Sequence, residues 1–346
     1  MSPTPSNIPS FDDLPPVKDM PQGCAWGLFD KDGQKDNLGC LNLLTPTVVQ
    51  EALKEATTGH SISLNWPLNA LHKAAFMRAP LTHRIVDGQE LVGFHAYDDE
   101  VAFNTQSSSQ WDSLVHFAHQ ESGCYYNGVK PTKEHLLQEF GNGDEETARA
   151  IPTLNHWHTR GGLVARGVLL DYKTYAHATG IEYSPFTSHA ISVADLEAVA
   201  KYQNTDFKFG DVLIVRTGYT DEMSALSAEE QEEKQREHRC VGVAGDRGTA
   251  RWVWDRHFSA VACDAVGFEV MPPKIEEDGG RVGGPGELVL HQWFLSLFGL
   301  NIGELWDLKA LGEHCLEVGK YSFLLTSIPL NVPGAVGSPA NALAIF

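Results

Sequence analysis

The chain has 346 residues, 42% hydrophobic and 21% charged, which is ordinary for a globular protein and enough to bury a large core. Its 26 basic residues against 45 acidic ones give a formal charge of −19, so the surface repels polyanions and nucleic acid is excluded as a main partner. The apolar runs are far too short to span a bilayer, and the six scattered cysteines, with no Cys-x-x-Cys pair, read as reduced thiols in a cytoplasmic protein.

Residues 1–24 read as a flexible arm, polar and Pro/Ser-rich at its start, with neither a basic beginning nor an apolar signal core. Residues 25–346 read as a single α/β unit. Loop-like sequence through residue 40 carries Trp26-Gly27 and Asn37-Leu38-Gly39. Thr45-Pro46 opens a helix that runs to Ala56, with Pro46 at the tolerated first position. Residues 62–66 alternate apolar and polar and predict a strand ending at Pro67. Residues 70–104 hold short β-like pieces broken by Asp and Gly, which predict a hairpin. Residues 141–146 are a surface loop.

The nearly continuous apolar run 163–171 predicts a strand buried on both faces. Ser192 and Asp195 form the acidic variant of a capping box before a helix over 193–202. A second buried strand follows at 210–218. The charged stretch 227–238 predicts an exposed helix with a solvated face. A helix over 249–257 leads to a strand over 259–263, ending at Asp264. Glu276, Glu277 and Asp278 open a Gly-rich loop running to Gly286. A helix over 287–298 carries His291, another lies near 308–316, and a strand spans 321–330. The tail, 331–346, reads as a loop ending in an apolar run. Strands and helices alternate from about residue 160 onward, which predicts an α/β fold; the β-rich first half makes the sheet mixed.

The stretch from Gln106 to His119 concentrates polar chemistry. Asp112 and His116 stand beside the amides of Gln106 and Gln110, flanked by Trp111, Leu114 and Phe117, which look built for burial. A buried carboxylate is costly unless it is paired or bound to a metal. The glycines from Gly279 to Gly286 lack a Walker lysine and read as a loop rather than a phosphate cradle. No Gly-x-Ser-x-Gly elbow is present. His291 and Glu304, which bracket a helix end and a Gly-containing turn, join Asp112 and His116 in a set suited to Zn²⁺ or Mn²⁺. The residues alone leave open that His291 is a core histidine and that Glu304 only charges a helix start.

The pattern Gln106-x-x-x-Gln110-x-Asp112-x-x-x-His116 resembles the His-x-Gly-Thr-His-x-Asp-x-Pro-x-His signature of the cyclase family that includes bacterial kynurenine formamidase and isatin hydrolase. Further similar stretches are Trp26-Gly27, Asn37-Leu38-Gly39, the 167–171 and 210–218 strands, Asp264, and His291 followed by Gly303-Glu304. Tyr126-Asn127-Gly128 resembles a longer branch of that family. The likeness spans residues 25–342.

The resemblance implies a mixed-sheet, swivelling β/β/α domain and metal-dependent hydrolysis of an amide, lactam or lactone bond in a small substrate. It also implies assembly as a homodimer or homotetramer. Asp112, His291 and Glu304 would be metal ligands and His116 the proton donor and acceptor, with Gln110 stabilising an oxyanion. Gln106, Trp66, Trp111 and Tyr126 would line the substrate pocket. The chain departs from the family in carrying Gln106 and Gln110 where the signature has histidines. A neutral amide oxygen is a poorer ligand than imidazole, so at most one divalent ion, Mn or Zn, is expected. Two alternatives stand beside this reading: a metal-free lyase, isomerase or cyclase using His116, and a ligand-binding pseudoenzyme.

Overall fold

The computed structural model describes residues 4, 7–73, 75–137, 150–275 and 279–346. The loop expected over 141–146 and the acidic residues 276–278 lie outside them. In chain order the strands begin with β1 (Ser61–Ser63), β2 (Thr82–Asp87), β3 (Tyr97–Ala102) and β4 (Gln110–Asp112). The middle of the chain adds β5 (Leu163–Asp171), β6 (Ala190–Ile191), β7 (Val212–Arg216), β8 (Gly242–Val243) and β9 (Ala260–Cys263). Then come β10 (Lys274–Ile275), β11 (Arg281–Val282), β12 (Asn301–Glu304), β13 (Ser322–Ser327), β14 (Gly337–Pro339) and β15 (Ala342–Ile345).

One nine-stranded sheet organises the molecule, in the order β1-β15-β13-β5-β7-β9-β12-β4-β14. Its centre, β5, β7, β9 and β12, is parallel, and both flanks are antiparallel, so the sheet is mixed as expected. The central strands are apolar along both faces because each face is covered by its own core. On one face Leu213, Val215, Val261, Cys263 and Ile302 meet the helical layer; on the other Ile214, Ala260 and Ala262 meet Trp111, Trp306 and Phe323.

Local signals set the helices. Ser192 accepts from the Asp195 N–H while Asp195 returns a bond to the Ser192 N–H, closing the capping box before the helix Val193–Tyr202. Ser227 and Glu230 do the same for the exposed helix Ala228–Arg236. Thr45 caps the helix Pro46–Ala52, with proline in its first turn. β2 and β3 pair antiparallel as the expected hairpin, with almost all of their residues solvent-exposed.

Four regions differ from the sequence expectation. Residues 11–24, expected in a flexible arm, are docked: Phe11 is buried with its ring 5.4 Å from that of Trp293, and its N–H donates to Asp255 at 2.7 Å. The tail is not a loop; it supplies β14 beside β4 and β15 between β1 and β13. Glu304 is not at a helix start but at the end of β12. The helix bearing His291 is α-helical over Val289–His291 and then widens to a π-helical segment, Gln292–Phe298. Among the described residues no helix is long and apolar enough to cross a membrane. All six cysteines are free thiols.

Candidate active site

Strand β4 decides the geometry. Side chains alternate across a strand, so Gln110 and Asp112 face one side of the sheet and Trp111 the other. Trp111 is fully buried in the opposite core, 5.0 Å from the Trp306 ring and 5.3 Å from that of Trp157. Its indole N–H donates to Ser327 at 2.8 Å. Trp111 therefore anchors the strand and does not line a pocket, which corrects the sequence expectation.

β4 pairs antiparallel with β12, setting Gln110 opposite Glu304 and Asp112 opposite Ile302. The Gln110 Nε2 donates across this register to Glu304 Oε2 at 2.9 Å. Glu304 Oε1 accepts from the Phe268 N–H at 3.1 Å and lies 3.2 Å from His291 Nε2. The other ring nitrogen of His291, Nδ1, is 2.8 Å from Glu269 Oε1. Glu269, fully buried, also accepts the N–H groups of Val289 and His291, both at 2.8 Å, so one carboxylate caps the helix start and aims its histidine. Phe117 packs edge-on against the His291 ring at 5.4 Å.

Asp112, His291 and Glu304 thus converge, with ligand atoms all within 4.8 Å of one another and all three residues buried. Burial pushes the Asp112 carboxyl well above its usual range, and the neighbouring Glu304 charge adds to this. Burial opposes the charge on His291 too, but hydrogen bonds to Glu269 and Glu304 outweigh it and raise the ring to about 10. For Glu304 the balance runs the other way: burial would raise it, yet the His291 bond and charge leave it below its ordinary value. His116 is depressed to about 4, by burial first and by the His291 charge second, and is neutral near pH 7.

The expected glutamines take unequal parts. Gln106 joins the cluster: its Nε2 lies 2.9 Å from Asp112 Oδ1 and 2.8 Å from His116 Nδ1. Its oxygen is turned to Arg78, whose Nη2 donates to Gln106 Oε1 at 2.7 Å, so Gln106 presents its nitrogen and not its oxygen to Asp112 and His116. Gln110 is fully buried with its Nε2 committed to Glu304. Its uncommitted group is a carbonyl oxygen, the wrong polarity for the oxyanion role expected of it.

The two other expected pocket aromatics are buried, with their polar atoms hydrogen-bonded. Trp66 is buried, with its N–H on Ser109 at 2.7 Å and its indole on Ser224 at 2.9 Å; it clamps the serine turn that feeds β4. The hydroxyl of Tyr126 is spent on Asp36 at 3.1 Å in the core. Sequence reasoning missed Arg78 and Glu269. Neither sits in a motif, and Arg78 falls in the stretch that reads least clearly.

The donor set fits a divalent ion. Asp112 Oδ2 and Gln110 Oε1 are buried without a hydrogen-bond partner, a costly state that an ion on this side would relieve. Glu269 behind His291 is the arrangement that fixes a ligating imidazole. Zinc and manganese both accept one nitrogen with several oxygens, and the oxygen excess favours the harder ion.

Comparison with known proteins identifies the family and the fold. The family profile described as "Putative cyclase" matches residues 60–270, more than half of the chain. The chain belongs to this family. Among solved structures, this cyclase-family chain is similar to one described as a novel cyclase, with 27% identity, a TM-score of 0.76 and coverage of 93% of this chain and 99% of that one. Isatin hydrolase A from Ralstonia solanacearum shares the fold at 12% identity and a TM-score of 0.53, over 82% of this chain and 91% of that one. An isatin hydrolase bound to the product analogue thioisatinate is similar at 12% identity and a TM-score of 0.55, over 87% and 98% of the two chains. No curated protein matches the chain.

Proposed function

We propose that this cyclase-family protein is a hydrolase that opens an amide, lactam or lactone bond in a small, aromatic-bearing molecule with one divalent ion, Mn²⁺ or Zn²⁺. The observation that carries the reading is the convergence of Asp112, His291 and Glu304 beside two partnerless buried oxygens. Asp112, His291 and Glu304 would hold the ion, with Gln110 Oε1 as a further oxygen beside them. When bound, the ion supplies Lewis-acid polarisation of an acyl oxygen and acidifies water.

The chain's own residues do the rest. Glu269 orients His291, the β4–β12 pairing holds Gln110 against Glu304, and Arg78 holds Gln106 against Asp112 and His116. His116, partly exposed beside the buried carboxylates, meets the reacting group. The shared fold of the isatin hydrolases supports a cyclic amide as the first substrate class to try. We place the protein in the cytoplasm as a homodimer or homotetramer; its free thiols support the first, and the exposed Ile85, Phe94 and Tyr97 of the β2–β3 hairpin support the second.

The test is hydrolysis of a panel of lactams, lactones and formamides by protein as purified, after chelation, and after return of Mn²⁺ or Zn²⁺. Turnover lost on chelation and restored by an ion is the expected result. One observation favours a second reading: the His291–Glu304 contact at 3.2 Å closes the cluster through a proton alone. Full turnover after chelation would establish that metal-free acid–base site and discard the metal hydrolase.

A further inference from the structure

The hydrogen bonds around Gln106 assign a tautomer to His116. Arg78 follows two non-glycine residues, Phe76 and Met77, that hold φ of 56° and 55° in the left-handed region. Its guanidinium lies 5.3 Å from the Phe76 ring centroid. Nη1 donates to the Gln106 backbone oxygen at 2.8 Å and Nη2 to the side-chain Oε1 at 2.7 Å. A guanidinium has donors only, so it dictates which end of the Gln106 amide is oxygen. Nε2 is thereby turned inward, with one proton for Asp112 Oδ1 at 2.9 Å and one for His116 Nδ1 at 2.8 Å.

An amide nitrogen does not accept, so His116 Nδ1 must be the bare, accepting nitrogen and the ring proton sits on Nε2. Nε2 has no hydrogen-bond partner among the described residues, which leaves its N–H for a substrate.

We propose that His116 acts as a neutral hydrogen-bond donor, through Nε2–H, to the oxygen that gains charge when the acyl bond is attacked. Arg78 and Gln106 are positioning residues that hold it in that form. No proton changes hands at His116. Losing the Nε2 proton would leave an anionic imidazole, and gaining a second would place it on Nδ1 against the Gln106 amide. The proton shuttle expected from the sequence needs a bare Nε2, which is the other tautomer. Preorganised donors of this kind are worth about 10²–10³ in rate.

This inference rests on the hydrolase reading, but its primary readout does not need turnover. The experiment is a long-range ¹H–¹⁵N spectrum of full-length protein labelled in histidine and loaded with Zn²⁺, near neutral pH, with His116 assigned by its loss in His116→Gln. The expected result is the Nε2–H tautomer in the wild type, a shift toward Nδ1–H in Arg78→Met, and Nδ1–H in Gln106→Glu, whose carboxylate accepts instead of donating. Circular dichroism and zinc content establish that each variant is folded. On any substrate found, His116→Gln, which keeps a donor, should retain far more activity than His116→Leu, which should lose about 10²–10³-fold.

An Nδ1–H or doubly protonated His116 in the wild type overturns the proposal, whatever the variants do. An unchanged tautomer in folded Arg78→Met removes Arg78 from it. Absence of turnover on every substrate, with the Nε2–H tautomer present, counts against the hydrolase reading alone.

Discussion

Replacing Glu269 with glutamine separates its two duties. The carboxylate accepts three hydrogen bonds at 2.8 Å, from the Val289 N–H, the His291 N–H and His291 Nδ1, and is fully buried. Glutamine fits the same space but has one oxygen. If that oxygen stays on His291, the new NH₂ faces the Val289 N–H and leaves a buried donor unpaired, which costs about 1–3 kcal/mol. The two bonds that remain lose their charge assistance, which makes them roughly half as strong. The sum is a destabilisation of about 2–4 kcal/mol, read by urea unfolding of the chelated protein. The second effect falls on the ion: loss of a carboxylate behind a ligating imidazole weakens metal binding about 10–100-fold. Chelator competition with Zn²⁺ or Mn²⁺ measures it. Affinity within twofold of the wild type, alongside the loss of stability, would refute the claim that Glu269 orients a ligand and leave it a helix cap.

Three further outcomes follow from the same contacts. In the chelated protein, His116 is depressed to about 4, so its unfolded form binds the extra proton and stability falls as pH drops from about 6.5 toward 4. His291 is raised to about 10, so its contribution is complete below about 6.5 and is lost as pH rises toward 10. Compared with the wild type across pH, His116→Gln should remove the loss of stability between about 6.5 and 4, and His291→Gln the loss between about 6.5 and 10; differences that do not change over these windows would contradict these environments. Thiol titration of native protein should find one reactive cysteine, Cys124, because the other five are buried with thiols pushed up, Cys24 and Cys240 to about 12. Reaction of two or more before unfolding would show that the core opens. Gly39→Ala should cost about 3 kcal/mol or more in urea unfolding, since Gly39 holds φ of 57° and its new methyl would fall on the Gly299 backbone; a change below 1 kcal/mol would rule out that packing.

The central strands were legible because burial on both faces leaves long apolar runs, as in β5 and β7. The helix start at Ser192 was legible through its cap, which acts within four residues, and the helix after Ser227 through its charged, solvated composition. β4 was not: its polar residues, Gln110 and Asp112, face a buried polar cluster, so it lacks the pattern of an ordinary strand. The tail strands were hidden because, among the described residues, β14 pairs only with β4 and β15 needs β1 as well as β13, and β4 and β1 lie more than 200 residues away in the chain. At the site, Asp112, His291 and Glu304 were reached through the family resemblance, and the fold brings them together. Arg78 and Glu269 act through contacts 28 and 22 residues distant, which no local spacing encodes. Trp111 was placed in a pocket through the family resemblance, which does not say which face of the strand it takes; the sheet gives it the face opposite Gln110 and Asp112.

The most direct measurement is elemental analysis of purified, dialysed protein, per chain, for the wild type and Asp112→Ala. The account predicts about one Mn or Zn per chain in the wild type and none in the variant. No metal under any loading condition would contradict the metal hydrolase, and two ions per chain would contradict the single site that Gln106 and Gln110 leave.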